Sequence, residues 1–180
     1  PGLARILALD QDVEVLGTGY GGQQGPVEGP VWWRKEGCLL FSDISNSRRM
    51  KWTPEQGVTV HEEDTNHANG LTCDLQGRLL ACEHESRRVT RLELDGSITV
   101  VAQSYRGWRL NRPNDVVVKS DGSIYFTDPH LRLPEAQREN DFAGEFRVTP
   151  DGQVSVATDG CEYPNGLAFS PDESVLYVAI

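Results

Sequence analysis

The sequence predicts an all-β fold, and three observations carry that prediction. Apolar residues fall in short alternating or continuous runs of four to six residues, the length of strands rather than helices. Eighteen glycines and ten prolines punctuate these runs. No segment shows convincing helical periodicity, and only the polar stretch 134–141 has room for a helical turn.

Taken in chain order, strand candidates lie at 39–42, 71–74, 79–83, 89–94, 98–102, 116–119, 124–127, 154–157, 167–170 and 175–179. Runs at 4–9 and 13–16 precede them and read as outer strands awaiting a partner. The hairpins turn at Glu36-Gly37, Gln76-Gly77, Asp95-Gly96, Asp121-Gly122 and Asp151-Gly152, where glycine supplies the positive φ that tight turns need.

These elements repeat. Glu28-Gly-Pro-Val-Trp-Trp, Asn69-Gly-Leu-Thr-Cys-Asp, Asn114-Asp-Val-Val-Val-Lys and Asn165-Gly-Leu-Ala-Phe-Ser each open on a polar residue and continue as a strand. Their starts at 28, 69, 114 and 165 are 41, 45 and 51 residues apart. A second set of turns at Gly57, Gly96 and Gly152 follows the first by 20, 19 and 30 residues, so a unit contains two hairpins and four strands. Four-stranded antiparallel units at this period predict a β-propeller, the whole chain 1–180 forming one domain. The longer third interval predicts an extra loop at 130–142, placed over one mouth of the channel. The Trp-Asp and Gly-His signatures of common interaction propellers are absent, which weakens a pure scaffold reading.

Composition narrows the partners. With 17 Lys and Arg against 27 Asp and Glu, the formal charge is −10 and basic residues are scattered, which argues against nucleic acid. Apolar runs fall far short of the ~20 residues that cross a bilayer. Cysteines 38, 73, 82 and 161 fit no zinc clip, and read as buried free thiols or, for Cys73 and Cys82, as a bridge across a hairpin. No secretory leader is visible and Pro1 is not a natural start, so a cytoplasmic location is expected, or a periplasmic one after removal of a leader.

Equivalent positions of propeller blades converge on one axis, so Glu28, Asn69, Asn114 and Asn165 are expected to form a ring of oxygens suited to a hard cation such as calcium. The competing reading of an Asn-Gly pair, a residue that merely tolerates a strained turn, is weakest at Asn114, which precedes Asp115. Asp43, Glu83 and Asp128 share the end of the second strand in three repeats, where a blade-to-blade hydrogen-bond device is expected rather than three catalysts. Ile180 takes that place in the fourth.

Four motifs in order, Glu28-Gly-Pro-Val-Trp, Asn111-Arg-Pro-Asn-Asp-Val, Tyr125-Phe-Thr-Asp-Pro and Pro164-Asn-Gly-Leu-Ala-Phe-Ser-Pro-Asp, resemble the gluconolactonase and senescence-marker-protein (regucalcin-like) family. Ala81-Cys-Glu-His and Arg87-Arg-Val-Thr-Arg look most like its bacterial gluconolactonase branch. The resemblance implies a six-bladed propeller, about four blades of it in this chain, around one divalent cation, calcium before zinc or magnesium. It implies Glu28 as a carboxylate ligand, Asn165 as an amide ligand, Asn114 as a contact to metal or substrate, and Arg112 as a substrate contact. The family's general-base Asp would fall beyond Ile180, leaving the catalytic base unknown and the parent continuing for roughly 100 residues on the same blade arithmetic. Asp115 is expected either to support or join the ligands or to hydrogen-bond a turn. His67 and His84 are expected either to touch a hydroxylated substrate or to pack beside the second repeat.

The implied activity is metal-dependent hydrolysis of a sugar lactone. No Gly-x-Ser-x-Gly elbow is present to offer covalent catalysis. The rivals are hydrolysis of another ester or an organophosphate on the same scaffold, and a non-catalytic calcium-binding or interaction propeller.

Overall fold

Each repeat start opens the innermost strand of a sheet. The computed structural model describes residues 10–23 and 25–180; the run at 4–9 lies outside them. Blade 1 comprises β1 (Val27–Trp33), β2 (Cys38–Asp43), β3 (Arg48–Thr53) and β4 (Gly57–Glu63), hydrogen-bonded in that order. Blade 2 repeats the pattern with β5 (Ala68–Cys73), β6 (Leu79–Glu83), β7 (Arg88–Leu92) and β8 (Ile98–Ala102). A small ribbon of β9 (Ser104–Tyr105) and β10 (Trp108–Arg109) leads to blade 3. There β11 (Val116–Val118), β12 (Ile124–Asp128), β13 (Gly144–Val148) and β14 (Val154–Thr158) pair in order, and β15 (Leu167–Phe169) with β16 (Leu176–Val178) begins the next unit. All these pairings are antiparallel.

Strand β5 packs against β1 on one side and β11 on the other, and β11 packs against β15, so the inner strands stand side by side as in a propeller arc. Apolar side chains fill the seams between blades. Trp33, Cys38 and Leu40 of blade 1 meet Leu71, Leu79 and Ala81 of blade 2. Leu80, Cys82 and Val89 of blade 2 meet Val116, Phe126 and Phe146 of blade 3, with the two phenylalanines stacked at 5.3 Å. Burying one such ring contributes about 1.5–3 kcal/mol. This packing grades outward: every residue of β6 is buried between its neighbours, whereas three of the five in outer strand β8 are exposed.

That gradient explains which strands the sequence conceals. β3, β4 and β13 carry Arg48-Arg49, Glu62-Glu63 and the Glu145/Arg147 alternation, charges that mask a strand pattern. Residues 13–16, expected as an outer strand awaiting a partner, pair with no strand among the described residues, and Val13 is 97% exposed. All four cysteines are free: Cys73 faces Leu79 and Cys82 faces Val89, so no bridge crosses the hairpin. The 3-10 turn at Glu135–Gln137 falls inside the expected polar stretch, and a second at Ile44–Asn46 follows β2. Among the described residues no helix is long and apolar enough to cross a membrane.

Candidate functional site

The four repeat starts meet in one cleft of about 280 Å³, lined by Glu28, Asn69, Asn114, Asp115 and Asn165 among others. Glycine makes the approach possible. A Cβ on Gly29 would lie 2.3 Å from the Asn69 carbonyl oxygen, and one on Gly70 would lie 2.6 Å from the Asn114 carbonyl oxygen and 2.4 Å from Asp115 Oδ1. Gly70 lacks a positive φ, so this Asn-Gly pair serves close approach of inner strands rather than a strained turn. Register shifts at Glu28/Val31 and Ala68/Leu71 bulge the first strands of blades 1 and 2 beside their ring residues, a device that re-aims side chains.

Main-chain bonds stitch the ring. Gly70 N–H donates to the Asn114 carbonyl at 2.8 Å, Ser42 Oγ to the Asn69 carbonyl at 2.6 Å, and Thr127 Oγ1 to the Asn165 carbonyl at 2.7 Å. Asp115 joins blade 3 to the next unit, its Oδ1 accepting Val116 N–H at 2.9 Å and its Oδ2 accepting Leu167 N–H at 3.2 Å. The side chains of Glu28, Asn114 and Asn165 have no hydrogen-bond or ion-pair partner among the described residues.

Electrostatically the ring is short of positive charge. Burial pushes the Glu28 carboxyl above its ordinary range, and the nearby Asp115 carboxylate pushes it further. Burial also raises Asp115, against the pull of its two backbone N–H donors. Among the described residues no group of three or more His, Cys, Asp and Glu forms a metal cluster. A cation here would therefore take amide as well as carboxylate oxygens, and this donor set, with unclaimed oxygens from several blades, fits a hard divalent ion.

A second cleft, about 300 Å³, adjoins the ring and is lined by His67, His84, Glu85, Arg112 and the insert residues Leu133 and Gln137, among others. The insert 130–142, whose length predicted an extra loop, thus lends Leu133 and Gln137 to the wall of this mouth cleft. The turn at 111–114 contributes Arg112 to this cleft and Asn114 to the ring. Arg112 Nε is buried without a partner; burial and then the charge of Arg132 lower its pKa. Burial, then Arg112, His67 and Arg132, hold His84 at about 4, so it is neutral at pH 7. Its Nε2 can then accept from Asn69 Nδ2 at 3.4 Å, linking mouth to ring. His67 Nδ1 stands 2.7 Å from the Ile44 carbonyl, to which it donates, leaving Nε2 turned towards Glu85. Arg87 is structural, its Nε donating to the Leu110 and Asn111 carbonyls at 2.6 and 3.0 Å.

Residues 26–179 match the family model described as the SMP-30/Gluconolactonase/LRE-like region. The chain belongs to this family. It is 32% identical over 197 aligned residues to a gluconolactonase of Zymomonas mobilis, an alignment covering 99% of the chain and 54% of the relative. It is 30% identical to the pentonolactonase XacC of Haloferax volcanii, covering 83% and 48% respectively. Among solved structures, the gluconolactonase XC5397 of Xanthomonas campestris superposes with a TM-score of 0.78 at 39% identity, covering 85% of this chain and 53% of that one. The chain thus spans about half the length of the curated relatives it matches.

The family motifs sort onto the two clefts. Glu28, Asn114, Asp115 and Asn165 come together in the ring, while Arg112, His67 and His84 come together in the mouth. Sequence reasoning did not single out Asn69 beyond the repeat, nor Arg132, whose charge reaches Arg112 and His84. The Asn69 signal was present in the repeat register; Arg132 carries none, because the insert has no counterpart in the other units. The acids ending β2, β6 and β12 divide against the expected blade-to-blade device. Asp43 bonds to Arg48 and Asn46 and Glu83 to Arg88 and Thr90 within their own blades, whereas Glu83 also reaches Asn66 and Asp128 reaches Asn111 in the connections that enter blades 2 and 3.

Proposed function

We propose that the protein hydrolyses a sugar lactone to the aldonic acid with the help of one divalent cation, calcium before zinc or magnesium. Glu28, Asn114 and Asn165 would hold the ion. When bound, it supplies Lewis-acid polarisation of an ester carbonyl and acidifies water. Arg112 stays charged across the working range and binds rather than abstracts protons, donating to ring hydroxyls or to the carboxylate that develops on ring opening. Asn114 orients the ester between ring and mouth. Neutral His84 offers a hydrogen-bonding edge to hydroxyl groups without a competing charge. The observation that carries this reading is the ring of unclaimed oxygens, with two carboxylates lacking a basic partner, set directly beside an arginine-lined cleft. Kinship with proteins named gluconolactonase and pentonolactonase supports the same substrate class.

A panel of aldonolactones, tested on the full-length protein before and after chelation, checks the proposal. Turnover that disappears with chelator and returns with added cation is expected. Undiminished turnover in chelator would overturn the metal requirement, while metal binding without turnover of any lactone would make the protein a binding propeller. In the same assay Arg112→Ala should lower kcat/KM about 10- to 100-fold with the metal retained, the cost of roughly 1.5–3 kcal/mol for a charge-assisted hydrogen bond. Loss of the metal in that variant would reassign Arg112 to the framework.

A further inference from the structure

Each complete blade ends its second strand on a buried acid, yet the third blade treats its acid differently. The strand register sets Arg48 opposite Asp43 and Arg88 opposite Glu83, and each pair closes at 2.7 Å. The residue opposite Asp128 is Gly144, and among the described residues no basic side chain forms an ion pair with Asp128, although it is fully buried. Glycine there is a packing requirement: a Cβ would lie 2.9 Å from the Thr158 carbonyl oxygen and 3.2 Å from the ring of Phe142, the last residue of the insert. Where the other blades keep an arginine, blade 3 keeps an aromatic ring.

The freed carboxylate turns to backbone. Asp128 Oδ2 accepts the N–H of Asn111 at 2.7 Å. Asn111 Nδ2 donates to the Asp128 carbonyl at 3.3 Å and to the Phe142 carbonyl at 3.0 Å, tying acid, turn and insert together. Asn111 opens the turn that presents Arg112 to the mouth and Asn114 to the ring. Arg112 Nε has no partner of its own, so its placement depends on how that turn is held. Burial lifts Asp128 to about 7, and its Oδ1 is left without a partner, which marks an acid that costs stability instead of adding it. A paired arginine, as in blades 1 and 2, would serve stability better, and such local inconsistencies concentrate at functional sites.

We propose that Asp128 is a positioning residue: with Asn111 it clamps the 111–114 turn against the insert and so sets where Arg112 and Asn114 meet the substrate. This rests on the lactonase reading for the substrate, but not for the clamp itself. The test compares Asp128→Ala, Asp128→Asn and Asp43→Ala in the full-length protein, reading KM and kcat on an aldonolactone and amide hydrogen exchange across 109–116. Asp128→Ala is expected to raise KM about tenfold or more with a smaller change in kcat, and to accelerate exchange at 111–114 by a similar factor. Asp128→Asn keeps an oxygen for the Asn111 N–H and should restore both to within about threefold. Asp43→Ala, which breaks the equivalent acid of blade 1, should lower the melting temperature without moving KM. If Asp128→Ala does not fold, Asn111→Ala removes the Nδ2 bonds to the Asp128 and Phe142 carbonyls while leaving the Asn111 N–H on the Asp128 carboxylate, and should raise KM in the same direction by a smaller factor. Unchanged KM and exchange in these variants, or an equal rise of KM in Asp43→Ala, would overturn the proposal. If the unmodified protein turns over no lactone, the lactonase reading falls, and exchange at 111–114 alone decides the clamp.

Discussion

Glu28→Gln is expected to lose the cation and the lactone turnover together. Glutamine preserves the shape of the side chain and one oxygen but removes a full negative charge from the ring proposed to hold the cation, and the calcium affinity of oxygen sites follows ligand charge. In the metal-free protein, burial and then Asp115 disfavour the charged form of Glu28, and its carboxylate has no basic partner among the described residues. Mutating residues that merely brace metal ligands costs roughly 10–100-fold in affinity or activity, and removing a ligand charge should cost at least the upper end. Calorimetric titration with calcium and a lactone assay measure the two losses. The sign of the stability change gives a further check. The folded-state pKa of Glu28 is raised, so at pH 7 its charge works against the metal-free fold, and Glu28→Gln should be no less stable than the parent without metal and less stable only with it. Full activity of the variant after exhaustive chelation would remove the metal from the mechanism.

Gly70→Ala should be among the most damaging single methyl groups in the described residues. The new Cβ would sit 2.4 Å from Asp115 Oδ1 and 2.6 Å from both the Asn114 carbonyl oxygen and Asp115 Cα. Two of these atoms belong to backbone, so relief requires β5 and β11 to separate, which breaks the 2.8 Å bond from Gly70 N–H to Asn114. Overpacking of a core costs typically 1–3 kcal/mol and occasionally more, and a contact against backbone belongs at or above the top of that range. The melting temperature should fall by many degrees, and turnover should fall in whatever fraction still folds, because Asn69 and Asn114 are displaced with their strands. Gly160→Ala is the control, since its nearest atom would be an ordinary 3.6 Å away. A Gly70→Ala protein with parental stability and activity would mean that the inner strands do not approach as closely as described.

The ring could be read from sequence because it is built on repetition: Glu28, Asn69, Asn114 and Asn165 occupy one register, and register is visible without coordinates. Arg112 came with Asn114 through the motif they share. The outer strands were harder, since Arg48-Arg49 in β3 and the Glu145/Arg147 pair in β13 face partners or solvent and hide the alternation. The clamp at Asp128 was hidden for a different reason. Its signal is an arginine missing from position 144, and absence means something only once β12 and β13 are paired and the equivalent Arg48 and Arg88 are known. The mouth likewise joins distant segments, His67 and His84 from blade 2 with Arg112 and the insert, through contacts that no local spacing announces.

Position 82 sets the middle seam apart from its neighbours. Ser42 and Thr127 place a hydroxyl on the carbonyl of the following ring residue, whereas blade 2 carries Cys82 at the same point, among apolar side chains shared by blades 2 and 3. The thiol is fully buried, and burial followed by the charges of Asp115, Asp128 and Glu83 holds it well above the ordinary thiol range. A thiol that is both sheltered and protonated is silent towards alkylating reagents. Cys82 is therefore a natural stopwatch for the seam beneath the ring: each mark it acquires counts an excursion in which two blades parted and water reached the space between them.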